Sequence, residues 1–204
     1  MSHRLLMLRH GQIQANVDGK WHGSTDSPLI NLGTEQARLT GQHLKEHEQI
    51  SSVFSSPLQR CEETARLACK DQKLEITLVP GFAEMSIGEW EGTPFTELNQ
   101  RFDFIYKSTS DLDYAAPGGE SLNQVFSRFS DSIEHIKASE KPGGTSLIVS
   151  HGAAISIVLA GLIEKDLSKW HKYHFDNCSL TEIFFENAPR LGMVNSSAHL
   201  SSLG

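Results

Sequence analysis

Two short apolar runs in this 204-residue chain end in the same way. Leu6-Met7-Leu8-Arg9-His10-Gly11 and Leu147-Ile148-Val149-Ser150-His151-Gly152 each read as a buried strand closed by His-Gly. Strands without a polar face need cover on both sides, which is the condition of a parallel sheet between helices. In such sheets ligands bind outside the carboxyl ends of the strands, so two histidines placed there face one crevice. The glycines allow tight turns and close approach of a ligand.

The rest of the chain alternates in the way that arrangement requires. Arg4 to Arg9 reads as the first strand, followed by candidates at Ser52 to Ser55, Glu75 to Val79, Thr145 to Val149, Ser179 to Phe185 and Leu191 to Asn195. Leu32 to His47, Leu58 to Ala68, Ser121 to Ala138 and Ala153 to Ile163 read as helices. The third is the plainest, with Leu122, Val125, Phe129, Ile133 and Ile136 on one face. Pro57 is expected in the first turn of the second. Pro142, Gly143 and Gly144 break the chain before the strand at Thr145. Pro80 to Gly119 has a weaker pattern, with one helix near Phe95 to Tyr106, and reads as a lid or insert. No internal linker interrupts residues 1–204, so the expectation is one α/β domain, a three-layer α/β/α sandwich with a mostly parallel central sheet.

Composition excludes several classes. A net charge of -7 makes a poor surface for nucleic acid, whose phosphates need a basic partner. Cys61, Cys69 and Cys178 have no paired spacing and read as reduced, non-catalytic thiols of a cytoplasmic protein. The apolar run of the first residues is too short for a signal peptide, and no run reaches the length of a membrane span. His43-Leu44-Lys45-Glu46-His47 fits a zinc-binding pattern, but ends a polar helix among Lys45, Glu46 and Glu48 and reads as a solvated helix end. His171 and His174 have helical spacing and read the same way.

A third segment adds a cation to the two histidines. Val53-Phe54-Ser55-Ser56 ends a strand, and Arg60 lies in the first turn of the next helix. Helix N-termini favour anions, and arginine binds phosphate in a forked geometry. Arg9, Arg60, His10 and His151 would make a cationic pocket suited to one phosphoryl group rather than to a polymer.

These residues resemble the histidine phosphatase superfamily, in the branch that includes the phosphoglycerate mutases. The likeness runs from about Leu5 to Asn195. It rests on Arg9-His10-Gly11 with Asn16, on Asp26-Ser27-Pro28-Leu29 through Gly33 and Gln36-Ala37, and on Ser55 through Arg60 with Thr64-Ala65. Glu84 with Gly88-Glu89-Trp90-Glu91-Gly92, Gly118-Gly119-Glu120-Ser121, and Val149 through Gly152 complete it. The resemblance implies that His10 is a nucleophile that takes the phosphoryl group, and that Glu84 is the acid and then the base. It implies that Arg9, Arg60, Asn16 and a protonated His151 hold the equatorial oxygens, with the Gly152 amide assisting. His22 and Gly23 are expected near the substrate. No cofactor or metal is implied, because arginines supply the positive charge. The expected partner is a small phosphorylated metabolite, with no nucleic acid and no membrane, and the protein is a monomer or homodimer.

Departures from the family pattern all bear on the leaving group. Ile13 stands where Ser or Thr is usual, Met85 where mutases carry an arginine, and Ser156 where an arginine is common. Met85 to Glu120 has only Arg101 and Lys107 as cations, beside Trp90, Phe95, Phe102, Phe104, Tyr106 and Tyr114. Those aromatics either cover an uncharged leaving group or form the insert's own small core. A phosphatase is the first reading, and Glu84-Met85, Ser156, Trp170-His171 and Val194-Asn195-Ser196 resemble α-ribazole-phosphate phosphatases. A phosphoglycerate mutase and a non-catalytic phosphoester-binding module are the alternatives.

Overall fold

A computed structural model of the protein describes residues 3–140 and 143–203. Pro142, expected to break the chain, lies outside the described residues. Strands β1 (His3–Arg9), β2 (Ser52–Ser55), β3 (Ile76–Leu78), β4 (Thr145–Ser150), β5 (Leu180–Phe185) and β6 (Pro189–Leu191) form one sheet in the order β3-β2-β4-β1-β5-β6. β3, β2, β4 and β1 run parallel, and β5 turns back against β1. The helices are α1 (Gln14–Val17), α2 (Asn31–His47), α3 (Gln59–Ala68), α4 (Phe95–Phe102), α5 (Phe104–Ser110), α6 (Leu122–Ser139) and α7 (Gly152–Leu159).

Alternation along the central strands divides the apolar side chains between two cores. Leu5 and Met7 of β1, with Ile148 of β4, join Val125, Phe129 and Ile133 of α6 and Ile155 and Val158 of α7. Leu6, Leu8, Leu147 and Val149 join Ala37 and Leu44 of α2 and Cys61 and Ala65 of α3 on the other face. These are the two outer layers of the expected sandwich. Both faces are packed over Leu5–Leu8 and Leu147–Val149, and the two central strands emerge from the sheet at His10 and His151.

Local chemistry sets the helix limits. The Ser121 hydroxyl caps α6 by accepting from the Gln124 amide, and the Gln124 side chain accepts from the Ser121 amide in return. Pro57 precedes the cap residue Leu58 of α3, so it lies outside the first turn expected for it. The helix expected near Phe95 to Tyr106 is two helices, broken where Asp103 takes a left-handed backbone (φ 52°). The helix expected to reach Ile163 is α7 followed by a wider turn over Ala160–Glu164. The last strand is displaced from the expected Leu191 to Asn195: β6 spans Pro189–Leu191, and Asn195 has φ 49°, which a continuous ladder does not accept. Ser196 rejoins Leu180 by an isolated bridge.

The segment from 80 to 119 builds an aromatic cluster of its own. Trp90 and Phe102 stack at 4.2 Å, and buried Phe104 meets Trp21, Trp90 and Trp170 edge-on. Of the six aromatics expected either to cover a ligand or to pack together, most pack together. Trp21 ties this cluster to the loop after β1, since its backbone exchanges hydrogen bonds with Thr93 and Gly92 and its Nε1 donates to the Met85 carbonyl at 3.1 Å. No described helix is long and apolar enough to cross a membrane.

The α6 face is the load on which one core depends. Phe129 is fully buried and packs on Phe82 with ring centroids 4.8 Å apart. Phe129→Ala should cost about 3–5 kcal/mol of stability, read as a lower urea midpoint with an unchanged slope.

Candidate active site

Strand pairing sets the site. Arg9 of β1 lies opposite Ser150 of β4, and the His10 amide donates to the Ser150 carbonyl at 3.0 Å. The next residues of the two strands are His10 and His151, and their ring centroids stand 5.2 Å apart, edge to face. Gly11 is needed for a contact between backbones: a Cβ there would lie 2.5 Å from the Gly33 carbonyl oxygen in α2. The sequence reading expected that space for a ligand. At Gly152 a Cβ would meet Arg9 Nε at 3.3 Å, so the guanidinium lies against the first turn of α7.

His10 is 4% exposed, and its Nδ1 lies 2.8 Å from the Gly11 carbonyl. A carbonyl only accepts, so Nδ1 carries the proton and Nε2 keeps its lone pair. Burial, then Arg60 and Arg9, hold the His10 pKa well below the ordinary 6.5. A neutral imidazole with one free nitrogen faces a cavity of about 490 Å³, within the range of small-molecule sites.

Arg60 and His151 differ from expectation. Arg60 is fully buried and lines none of that cavity. Its Nη1 donates to Thr25 O (2.9 Å), its Nη2 to His22 O (3.0 Å) and Gly23 O (2.8 Å), and its Nε to His151 Nδ1 (3.2 Å). A buried cation requires such partners, and the loop after β1 supplies them. Since His151 Nδ1 accepts, the ring is neutral with its proton on Nε2, donated to Ser56 Oγ at 2.8 Å. Burial and Arg60 push its pKa well below the ordinary value. His151 was expected protonated and holding phosphoryl oxygens; here it stands fully buried behind His10. Cys61 Sγ lies 3.3 Å from its Nε2, and burial pushes that thiol up, so it stays protonated.

Glu91 holds the same loop from its other side. Its carboxylate accepts from the amides of Gly23 (2.8 Å), Ser24 (3.1 Å), Thr25 (3.2 Å) and Ile87 (3.2 Å) and from the Thr25 hydroxyl (2.8 Å). Burial pushes this carboxyl up, but the Thr25 hydroxyl and the amides outweigh it, and its pKa lies below the ordinary value. Gly23, expected near the substrate, is thus bound to Glu91 and lines none of the cavity. His22 does line it, with Nδ1 2.9 Å from Ser27 Oγ.

Glu84 reaches the cavity from the start of the inserted segment. Oε1 accepts from the amides of Met85 and Ala154, both at 2.8 Å, and Oε2 from Ala153 at 3.1 Å. It therefore caps α7, where amides and helix dipole favour a negative charge. Burial is the larger effect and raises its pKa above the ordinary carboxylate value. Arg128 of α6, which sequence reasoning missed, fixes this segment: it donates to the carbonyls of Gly81 (2.8 Å), Ala83 (2.7 Å) and Glu84 (3.0 Å) and pairs with Glu120 at 2.8 Å. Its sequence signal was only a polar residue between Val125 and Phe129.

Arg9 is the guanidinium that lines the cavity. It donates from Nη1 to the Phe175 carbonyl, while its buried Nε has no partner among the described residues. Asn16 also lines the cavity, and its Oδ1 accepts from the Ile13 amide at 3.2 Å. The outer wall comes from two stacked pairs, Trp21 with Phe95 and Tyr173 with Phe175, and from Lys20, His171 and His174. Only Phe95 comes from the inserted segment's helices; the wall from Trp170 to Asn177 carried no legible site signal beyond the histidines. His43 and His47 lie together on α2, 4.8 Å apart, and His43 stacks on His199. No cluster of three metal-ligating side chains occurs among the described residues.

Residues 5–195 match the family model of the histidine phosphatase superfamily (branch 1). The chain is 30% identical over 200 residues to a bifunctional protein of Mycobacterium tuberculosis, covering 97% of this chain but 55% of the relative, so it spans about half the length of that relative. It is 31% identical to an adenosylcobalamin/alpha-ribazole phosphatase of Escherichia coli, covering 82% of this chain and 83% of the other. Among solved structures, phosphoserine phosphatase of Entamoeba histolytica in complex with 3-phosphoglyceric acid superposes with a TM-score of 0.86 at 32% identity, covering 97% and 99% of the two chains.

The clamp on the loop after β1 is measurable. Glu91→Gln replaces an all-acceptor group with one that presents a donor to facing amides, and should cost about 1–3 kcal/mol at pH 7. Because the folded pKa of Glu91 is depressed, its contribution is present above the unfolded value near 4.5 and is lost as pH falls through the folded value. Thermal unfolding of both forms should show a gap at pH 7 that narrows below that value.

Proposed function

The chain belongs to the histidine phosphatase superfamily, and we propose that it is a phosphatase that hydrolyses small phosphomonoesters through a phosphohistidine on His10. The observation that carries this reading is the fixed tautomer of His10, which leaves Nε2 free toward the cavity. In the first step Nε2 attacks phosphorus, the P–O bond to the leaving group breaks, and Glu84 gives its proton to the departing oxygen. In the second, water attacks phosphorus, Glu84 takes the water proton, and the P–N bond breaks to restore His10. The raised pKa of Glu84 suits a group that must begin protonated and then accept.

Arg9 supplies the positive charge nearest the transferring group, and its partnerless Nε is a donor suited to a phosphoryl oxygen. Asn16 adds a second donor. Burial and the charges of Arg60 and Arg9 keep His10 neutral in this reading, while the neutral His151 packs edge-on against it. The reading routes no step through a metal, so activity should survive a chelator. Residues 1–204 work as one catalytic domain, to which the segment at about 80–119 contributes Glu84 and Phe95.

The aromatic walls of the cavity favour a leaving group with an apolar or ring-bearing body, and α-ribazole 5′-phosphate is the first substrate to try. A mutase reading draws on Lys20 and the histidines of the outer wall, which could hold a carboxylate that Met85 to Glu120 cannot. Comparing turnover of α-ribazole 5′-phosphate, phosphoserine and 3-phosphoglycerate separates the two. Isomer exchange of the glycerate without phosphate release would establish the mutase.

His10→Ala should abolish phosphate release from p-nitrophenyl phosphate in the presence of chelator, and full retention would sink the nucleophile assignment. Glu84→Gln should still transfer the phosphoryl group from this good leaving group, giving a burst of about one equivalent of nitrophenol before a slow steady state. With an alkyl phosphate the burst should vanish. The free base of His10 is the reactive form, so the acid limb of kcat/KM should lie below the ordinary histidine value of 6.5. Protonated Glu84 is the acid, so the basic limb should lie above the ordinary carboxylate value of 4.5 and should disappear in Glu84→Gln with p-nitrophenyl phosphate.

A further inference from the structure

Asn177 lies in the turn before β5 and was not singled out by its sequence context. Its Nδ2 donates to two acceptors, the His10 carbonyl at 3.0 Å and Asn16 Oδ1 at 3.0 Å. The following residue reinforces the contact: the Cys178 amide donates to the carbonyls of Arg9 (3.0 Å) and His10 (3.3 Å). The end of β1 is thus sutured to this turn at the residue that carries the reactive imidazole.

The second bond decides which way the Asn16 amide faces. Oδ1 of Asn16 accepts from Ile13 N at 3.2 Å and from Asn177 Nδ2, so both its lone pairs are engaged on the protein side. Nδ2 of Asn16 donates to no group among the described residues, and Asn16 lines the cavity. A rotation of the amide by half a turn would set Nδ2 of Asn16 against two donors and present an oxygen to the phosphoryl group. Ile13 alone does not forbid this strongly, because its bond is the longer one. Asn177 does.

We propose that Asn177 is a positioning residue, which holds the Asn16 amide with its donor toward the phosphoryl oxygens. The proposal rests on the reading of this cavity as a phosphoryl site. Asn177→Asp replaces the shared donor with an acceptor of nearly the same shape. Asn16 would then turn its NH2 toward Asp and its oxygen toward the phosphoryl group.

The test is a double-mutant cycle of Asn177→Asp and Asn16→Ala, read by kcat/KM for p-nitrophenyl phosphate and by the inhibition constant of orthovanadate. Asn177→Asp alone should lower kcat/KM and weaken vanadate by about ten- to hundredfold, the range for a hydrogen bond to a charged group. In the Asn16→Ala background the same change should cost less than about threefold in the vanadate constant. Equal losses in both backgrounds would overturn the proposal, since Asn177 would then act on the ligand directly or through the fold at large. Should Asn177→Asp fail to fold, Asn177→Ala, which removes the donor without adding charge, goes through the same cycle under the same criterion. His10→Ala keeps the two readings apart: unchanged turnover there defeats the phosphohistidine, whereas lost turnover there with additive Asn16 and Asn177 effects defeats the positioning role alone.

Discussion

Parallel pairing of β1 with β4 is the constraint on which the rest of the site depends. Its register puts Arg9 beside Ser150, and one step further both chains leave the sheet with a histidine. Neither histidine has a choice of partner after that. His10 is tied to its own neighbour's carbonyl, and His151 is enclosed by Arg60, Ser56 and Cys61. The two rings are kept neutral by the same physical cause, burial beside guanidinium groups. A buried, neutral imidazole at the end of β1 is therefore a consequence of where two apolar strands stop.

Buried Arg60 is given to backbone rather than to a carboxylate, and Arg128 divides its donors between backbone and Glu120. Arg60 takes three carbonyls of the loop from His22 to Thr25, and Arg128 takes three between Gly81 and Glu84. Each arginine thereby fixes a segment that carries a cavity side chain, His22 in one case and Glu84 in the other. A carbonyl neutralises less of the charge than a carboxylate does, so the field of Arg60 still reaches His10 and Glu84. Glu91 completes the scheme in the opposite sense, as an anion held by amides. Arg9 stands apart because one of its buried donors has no partner among the described residues, and it is the arginine that lines the cavity.

The sandwich and its parallel centre were legible because apolar runs and helical periodicity are local signals. β1, β2, β4, α2, α3 and α6 fall close to where the residues place them. The misses share a cause in distant contacts. β6 ends at Leu191, and Asn195, expected in the strand, instead turns its side chain to Asp176, donating from Nδ2 at 3.2 Å and accepting the Asp176 amide at 2.7 Å. The helix after Pro94 breaks at Asp103, where two short helices close the aromatic cluster of Trp90, Phe102 and Phe104. Arg128 and Asn177 carried no individual signal, and Glu91 only a place in a matching block, since each acts on backbone or side chains far away in the chain.

The sequence by itself determined the layers and the two His-Gly strand ends, which follow from residue type and order and which local physics reads directly. Asn16 and Glu84 were joined to Arg9 and Arg60 by the resemblance to the family's motifs. Only the tertiary structure decided the direction of each polar group: Arg60 toward loop carbonyls, His151 as an acceptor, Gly23 toward Glu91, and the Asn16 amide with its oxygen turned inward. Hydrogen-bond direction depends on which donors and acceptors meet in space, and the partners here come from segments well apart in the chain, from 35 residues for Arg60 and Thr25 to 161 for Asn16 and Asn177.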